Sequence, residues 1–179
     1  MRPTVARCLV ALLAVLAVLP TASAQGRGDY LTEGELDLVR DIRRIDNRVD
    51  VFMKIAARRL NALEGRVDET LDSRSMKFGP LPKGTEIHLL DDYRRTIDEL
   101  MTKFEDEYSR TGMTDDLRKA LEIALVEIER QMKELDTVRP KLKEDDAGHF
   151  VEKALSIARE LRDGAKQALD ANPAPAKKS

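Results

Sequence analysis

Two histidines are the first residues to test for chemistry. His88 lies near Asp91 and Asp92, and His149 near Asp145 and Asp146, so each has carboxylates close enough in sequence to share a metal ion. A di-iron centre in a helical bundle needs a glutamate three residues before each histidine. Thr85 and Asp146 occupy those positions here. Both acidic clusters fall where helices begin, and there carboxylates serve as caps and favour the positive end of the helix dipole. Haem attachment of the Cys-x-x-Cys-His type is excluded by the cysteine count, which is one, Cys8. Ser109 and Ser156 have no histidine close in sequence to act as a base. Carboxylates are plentiful but sit at helix-surface spacing, and tryptophan, the usual platform in a sugar cleft, is absent. No catalytic, cofactor-binding or metal-binding residue is assigned. The expectation is a protein that is not an enzyme and uses no cofactor.

Two arginine groups carry more information. Arg40, Arg44 and Arg48 recur at i, i+4 and i+8, which sets them on one side of a continuous helix. Asp37 and Asp41 interleave with them, so the stripe is either a mixed solvated face or a contact for an acidic partner. Arg58-Arg59 falls inside an apolar periodicity. One of that pair is placed beside the core, its stem covering apolar surface and its guanidinium pairing with a carboxylate on another helix.

The elements that position these residues are all helical. Thr32-Glu33-Gly34-Glu35 reads as a capping box, with the threonine as N-cap and Glu35 reaching back. Apolar residues then recur at Leu38, Ile42, Ile45, Val49, Phe52, Ala56, Leu60, Leu63, Val67 and Leu71, an average step of about 3.7 residues. A single helix of that length reaches roughly 60 Å, far beyond its later neighbours. Either it breaks near Asp46-Asn47, where both side chains can cap a new start, or its end overhangs beyond Leu63. A loop at 72–84, rich in glycine and proline, leads to a second helix from Thr85. Its stripe is Leu90, Tyr93, Ile97, Leu100, Phe104 and Tyr108, and Gly112 terminates it. Thr114 caps the third, with Leu117, Leu121, Leu125, Ile128, Met132 and Leu135. The short link predicts that these two helices are antiparallel neighbours. Pro140 ends the third by disfavouring a helical Arg139. The fourth starts near Asp145-Asp146, shows Phe150, Ala154, Leu155, Ala158, Leu161, Ala165 and Leu169, and stops at Asn172-Pro173. The predicted fold is all-α, an antiparallel bundle of four helices, or five if the first is broken. Ile45, Phe52, Leu100, Phe104, Leu125, Ile128, Leu155 and Leu161 are its expected core.

The first 24 residues read as an address. Arg2 and Arg7 precede an apolar run from Leu9 to Leu19, Pro20 breaks it, and Ala22-Ser23-Ala24 suits signal peptidase. The run is too short for a membrane-spanning helix, which needs about 20 residues, and Cys8 precedes it rather than following it as in a lipoprotein. Cleavage leaves about 155 residues beginning at Gln25, a usual single-domain size, without cysteine. Residues 25–31 then form a flexible lead, 32–171 the bundle, and 172–179 a disordered tail. Losing two arginines moves the formal charge from −2 to −4. A mildly acidic chain of mixed signs has no general attraction for nucleic acid or anionic lipid. The 36% charged and 4% aromatic content suits long solvent-facing helices.

Tyr30 to Leu36, Val39-Arg40, Arg48 to Phe52 and Ala56 to Leu60 resemble the opening of a group of exported bacterial helical proteins without assigned activity. The resemblance covers about a fifth of the chain and implies a helical fold and an exported address, with a break before Arg48-Val49. Members of that group often carry a proline there, which this chain lacks. Leu31-Thr32-Glu33-Gly34-Glu35 is also similar to the Leu-Thr-x-x-Gln opening of periplasmic helical chaperones and metal-stress sensors, with glutamate in place of glutamine. The expected function is contact with a protein partner whose identity the sequence does not give, in the periplasm of a Gram-negative cell or outside it. A stress chaperone or metal-responsive protein is the alternative. Candidate contact residues are Arg40, Arg44 and Arg48 on the first helix and Met76, Phe78 and Leu81 in the loop. That loop is longer than most helix–helix links, and its three apolar side chains either dock a partner or cap the open end of the bundle. The intact mass of the exported protein should correspond to a chain starting at Gln25; a mass retaining Met1 would contradict cleavage.

Overall fold

The protein is seen in a computed structural model that describes residues 30–66 and 78–173. It is an all-α bundle. Among the described residues five α-helices follow in order, α1 (Glu33–Asp41), α2 (Ile45–Leu63), α3 (Glu86–Thr111), α4 (Asp115–Val138) and α5 (Ala147–Ala171), with a 3-10 turn at Arg139–Lys141. No strand occurs among the described residues. Thr32, Thr85 and Thr114 are the N-caps of α1, α3 and α4, each accepting the backbone N–H three residues on.

The break in the first apolar segment lies ahead of Asp46-Asn47. Ile42 is extended, and Arg44, not Asp46 or Asn47, is the N-cap of α2, without a side-chain cap bond. The compensation comes from Arg48, whose Nη2 donates to the Ile42 carbonyl at 2.6 Å and satisfies a group left open where α1 ends. The chain then reverses. Glu35 of α1 meets Arg58 and Arg59 of α2, so α1 runs back beside α2 and no 60 Å rod forms. The other end is stopped by Gly65 (φ 63°). Its N–H donates to Ala62 at 3.2 Å and that of Arg66 to Asn61 at 3.0 Å, the paired bonds of a Schellman motif, which needs a left-handed residue here. Val67 and Leu71, assigned to the stripe from sequence, lie outside the described residues.

Helices α2 to α5 form the four-helix core, and consecutive helices run antiparallel. The lateral order is α2, α3, α5, α4, so α3 and α4 barely touch. This corrects the expectation that a short link makes them neighbours. Residues 112–114 between Thr111 and Asp115, at 3.8 Å per Cα step, span a bundle diagonal of roughly 14 Å. Two lateral pairs are therefore parallel. In α2 and α4 the contacts advance together, Asp46 with Lys119 and Met53 with Gln131, ending with Glu64 and Lys141. The starts of α3 and α5 are locked by a reciprocal exchange. Glu144 accepts the N–H groups of Glu86 and Ile87 at 3.1 and 3.2 Å, and Glu86 accepts those of Lys143 and Glu144 at 2.8 and 2.9 Å. At the end of α4, Arg139 is helical in spite of Pro140, and the chain tightens into the 3-10 turn.

Of the eight expected core residues, seven are buried and Leu125 is only partly so. On α4 the inward face is Leu117, Ala120, Leu121, Ala124, Ile128, Gln131 and Leu135. Alanines and a glutamine take positions that a stripe drawn through large apolar residues gives to Leu125 and Met132. Gln131 is held by its Nε2 donating to the Met53 carbonyl at 2.9 Å. Among the described residues, the Tyr93 hydroxyl and the Gln131 Oε1 are buried without a hydrogen-bond partner, and burial pushes the Tyr93 phenol far above its ordinary pKa. Phe52→Ala should cost about 3–5 kcal/mol in unfolding free energy and Leu125→Ala clearly less. Equal losses in a denaturant titration would contradict this placement of the α4 face.

Candidate functional site

One end of the bundle holds a buried ion cluster. The capping-box glutamate of α1 is its anion. Glu35 and Arg59 have 0% exposure and Arg58 2%. The Arg59 fork grips both oxygens of Glu35, Nη1 on Oε1 and Nη2 on Oε2, the latter at 2.6 Å. Arg58 Nε adds a bond to Oε1 at 3.2 Å, and the Thr32 N–H reaches Oε2 at 2.9 Å. The carboxylate thus accepts four hydrogen bonds, its full capacity. The remaining donors spread outward. Arg59 binds the carbonyls of Ile55 at 3.0 Å and Tyr30 at 2.6 Å. Arg58 binds those of Gly79 at 3.0 Å and Pro80 at 2.6 Å, and lies 5.3 Å from the centroid of the Phe78 ring. On the next helix, the Arg95 guanidinium sits 4.9 Å over the Tyr30 ring. Burial, reinforced by the charge of Glu99, pushes the Tyr30 phenol far up. Burial also leaves the Asp92 carboxyl above its ordinary range, against the pull of Arg59 and Arg95. The bonded arginine donors of this cluster are turned onto the chain itself, and the Arg59 Nε is buried without a partner among the described residues. Its chemistry is that of a fastener joining α1, α2 and the 78–80 segment.

The residues proposed from sequence as a contact surface do not come together. Because the helix breaks at 42–44, the stripe of Arg40, Arg44 and Arg48 is divided between α1, the link and α2. Arg40 is paired with Asp37 at 3.3 Å, and Arg48 is turned back onto Ile42. Arg44 bridges Asp46 at 3.1 Å and Asp116 of α4 at 2.9 Å. Asp46 also receives Lys119 at 3.1 Å. Burial, the largest single influence on Asp46, opposes its charge, but hydrogen bonds from Lys119, Arg44 and the Asn47 N–H outweigh it and hold the carboxyl below its ordinary 3.8. That carboxylate stabilises the fold above the ordinary value, and the contribution fades as pH falls through the depressed one. In the loop, Phe78 is buried under Arg58 and Leu81 is half-buried, so these side chains cap the bundle end. Met76 lies outside the described residues. Both histidines are exposed, and no group of three potential metal ligands assembles among the described residues.

The opposite end carries a feature that no single stretch of sequence announces. The second halves of α3 and α5 and the first turns of α4 enclose a groove of about 250 Å³. Met101, Phe104 and Tyr108 form one wall, Met113, Leu117 and Leu121 a second, and Gly164, Ala165 and Ala168 of α5 the third. The groove exists because α5 offers almost no side chain opposite long ones on α3. Tyr108, the last member of the α3 stripe, is 47% exposed at its rim. The available sequence signals are Gly164 inside a helix and the small residues Ala165 and Ala168 after it; of these only Ala165 belongs to the stripe expected for the fourth helix.

Compared with protein families, with curated proteins and with solved structures, the chain finds no match in any of the three.

Because Phe78 is packed rather than presented, Phe78→Ser should lower stability by about 3–5 kcal/mol, as for removal of a buried aromatic, and Leu81→Ser by less. An unchanged melting temperature for Phe78→Ser would return the loop to the list of free surfaces.

Proposed function

We propose that this chain is an exported helical-bundle protein that acts by contact with another protein rather than by catalysis. The single observation that supports the contact role most is the apolar groove between α3, α4 and α5, because a bundle whose core is already closed has no need of it. An exposed apolar concavity on a charged surface is the usual mark of an interaction site. The amino-terminal basic head, apolar run and Ala-Ser-Ala box support export, as does the resemblance of residues 30–60 to exported bacterial proteins. A periplasmic location in a Gram-negative cell fits both. Among the described residues no helix is long and apolar enough to cross a membrane.

A second reading, a stress chaperone, draws on the same groove. Met101 and Met113 are adaptable side chains of the kind that accommodate varied clients. The two readings separate on selectivity. A dedicated contact protein crosslinks to one partner, whereas a chaperone suppresses aggregation of an unrelated unfolded protein. A metal-responsive protein would instead gain thermal stability with a transition ion, since binding to the native state alone stabilises it.

A photoreactive residue at position 108, used in intact cells, should give one reproducible adduct. The same residue at the outward Val126 of α4, 69% exposed, should give none. Adducts of equal pattern at both positions would contradict a dedicated contact through the groove.

A further inference from the structure

The groove has two properties that the fold does not require, and together they describe its occupant. Gly164 lies in the interior of α5, its φ is not positive, and a Cβ built there meets nothing within 4 Å. Neither backbone conformation nor internal packing calls for a glycine, although glycine weakens a helix relative to alanine. A bare Cα facing open space at the floor of an apolar groove suits the close approach of another backbone. The second property is charge. Among the described residues, Glu105 and Glu160 are the charged ones lining the groove. Among the described residues neither is ion-paired, Glu160 accepting only the Ser156 hydroxyl at 3.4 Å. Of the bases nearby on α3 and α5, Lys103 is paired with Glu99, Arg110 with Glu107 and Arg162 with Asp163, while Arg94 and Lys153 lie on the far side of Glu160, away from the groove lining. The helices α3 and α5 both end here and α4 begins here, so two negative dipole ends face one positive end, whose first turn carries Asp115 and Asp116.

We propose that the groove receives an amphipathic helix of a partner protein, with its apolar face on the Met101, Phe104 and Gly164 walls and its flanking lysines or arginines opposite Glu105 and Glu160. This rests on the protein-contact reading above and adds the chemistry of the partner. At about 250 Å³ the groove is smaller than the ~300–1,000 Å³ of typical small-molecule sites, but it holds a few apolar side chains of a docked helix. A second copy across a two-fold axis would bring Glu105 and Glu160 near their own counterparts. An anionic lipid surface would meet the same two carboxylates.

Fluorescence titration with three synthetic helical peptides tests this. They share one apolar face and carry lysine, glutamine or glutamate flanks. The lysine peptide should bind the purified protein about three- to tenfold more tightly than the glutamate peptide, with a preference that shrinks as salt rises and disappears in the Glu105→Gln, Glu160→Gln double variant. Gly164→Leu should weaken every peptide by about tenfold or more without lowering the melting temperature. Equal binding of lysine and glutamate peptides would overturn the basic character of the occupant, and undiminished binding to Gly164→Leu would overturn the groove as its seat. If no peptide binds while the adduct from position 108 persists, the contact reading stands and the amphipathic-helix occupant falls; if that adduct is missing as well, both fall. Self-association abolished by Gly164→Leu, or binding to phosphatidylglycerol vesicles through the groove, would replace the proposed partner with a second copy or a membrane.

Discussion

The Glu35 carboxylate between Arg58 and Arg59 is the constraint on which the amino-terminal half of the molecule depends. One anion and two cations are removed from water together, which is tolerable only when every oxygen and most donors find partners. The surrounding structure is arranged to supply them. Thr32 lends its N–H, Tyr30, Gly79 and Pro80 lend carbonyls, and Ile55 lends one from the preceding turn of α2. Four separate pieces of chain converge on one site that would be strongly unfavourable if any were missing. The α1–α2 hairpin follows from this. Helix α1 has only 9 residues, too short to persist alone in water, and its main polar attachment to α2 is Glu35.

The same cluster explains how the two ends of the bundle differ. At the cluster end, polar groups are mutually satisfied and Phe78 closes the opening. The groove end is closed by backbone economy instead. The link 112–114 crosses a diagonal, α5 contributes glycine and alanine, and apolar walls from three helices remain uncovered. A region that must hold the fold together and a region free to meet a partner are thus placed about one bundle length apart, and substitutions at one end can be made with little direct effect on the other.

Much of this was legible in the sequence because caps and stops are local signals. Thr32, Thr85, Thr114, Gly112 and Asn172-Pro173 each mark a helix end within a residue or so of where it falls. What was not legible required partners distant in the chain. The capping-box pattern identifies Glu35 as a local acceptor and accounts for its letters fully, so nothing local reveals that Arg58 and Arg59 also need it. Two adjacent arginines in an apolar stripe did signal a buried cation, and both, not one, are buried. The break expected near Asp46-Asn47 is present at 42–44, and its position is blurred in the sequence because Ile42, Ile45 and Val49 keep helical spacing across it and because its compensation, Arg48 on the Ile42 carbonyl, is not a usual cap. Gly65 stops α2 inside an apolar stripe whose spacing continues to Val67 and Leu71, so the periodicity masks the stop. Small residues leave weak traces in a pattern built from large ones, so the stripe points to Leu125 where the structure buries Ala124, and the groove has no strong sequence signature for the same reason.

The central structural claim is that Glu35 and Arg59 act as a unit in fastening the hairpin. A double-mutant cycle with Glu35→Ala and Arg59→Ala, read from denaturant unfolding, tests it most directly. Each single substitution leaves buried charge unpaired and should cost about 3–5 kcal/mol, while the double should cost well under their sum, a coupling above about 1 kcal/mol. Additivity within about 0.5 kcal/mol would mean that the two side chains stabilise the fold independently and that the cluster does not hold it together.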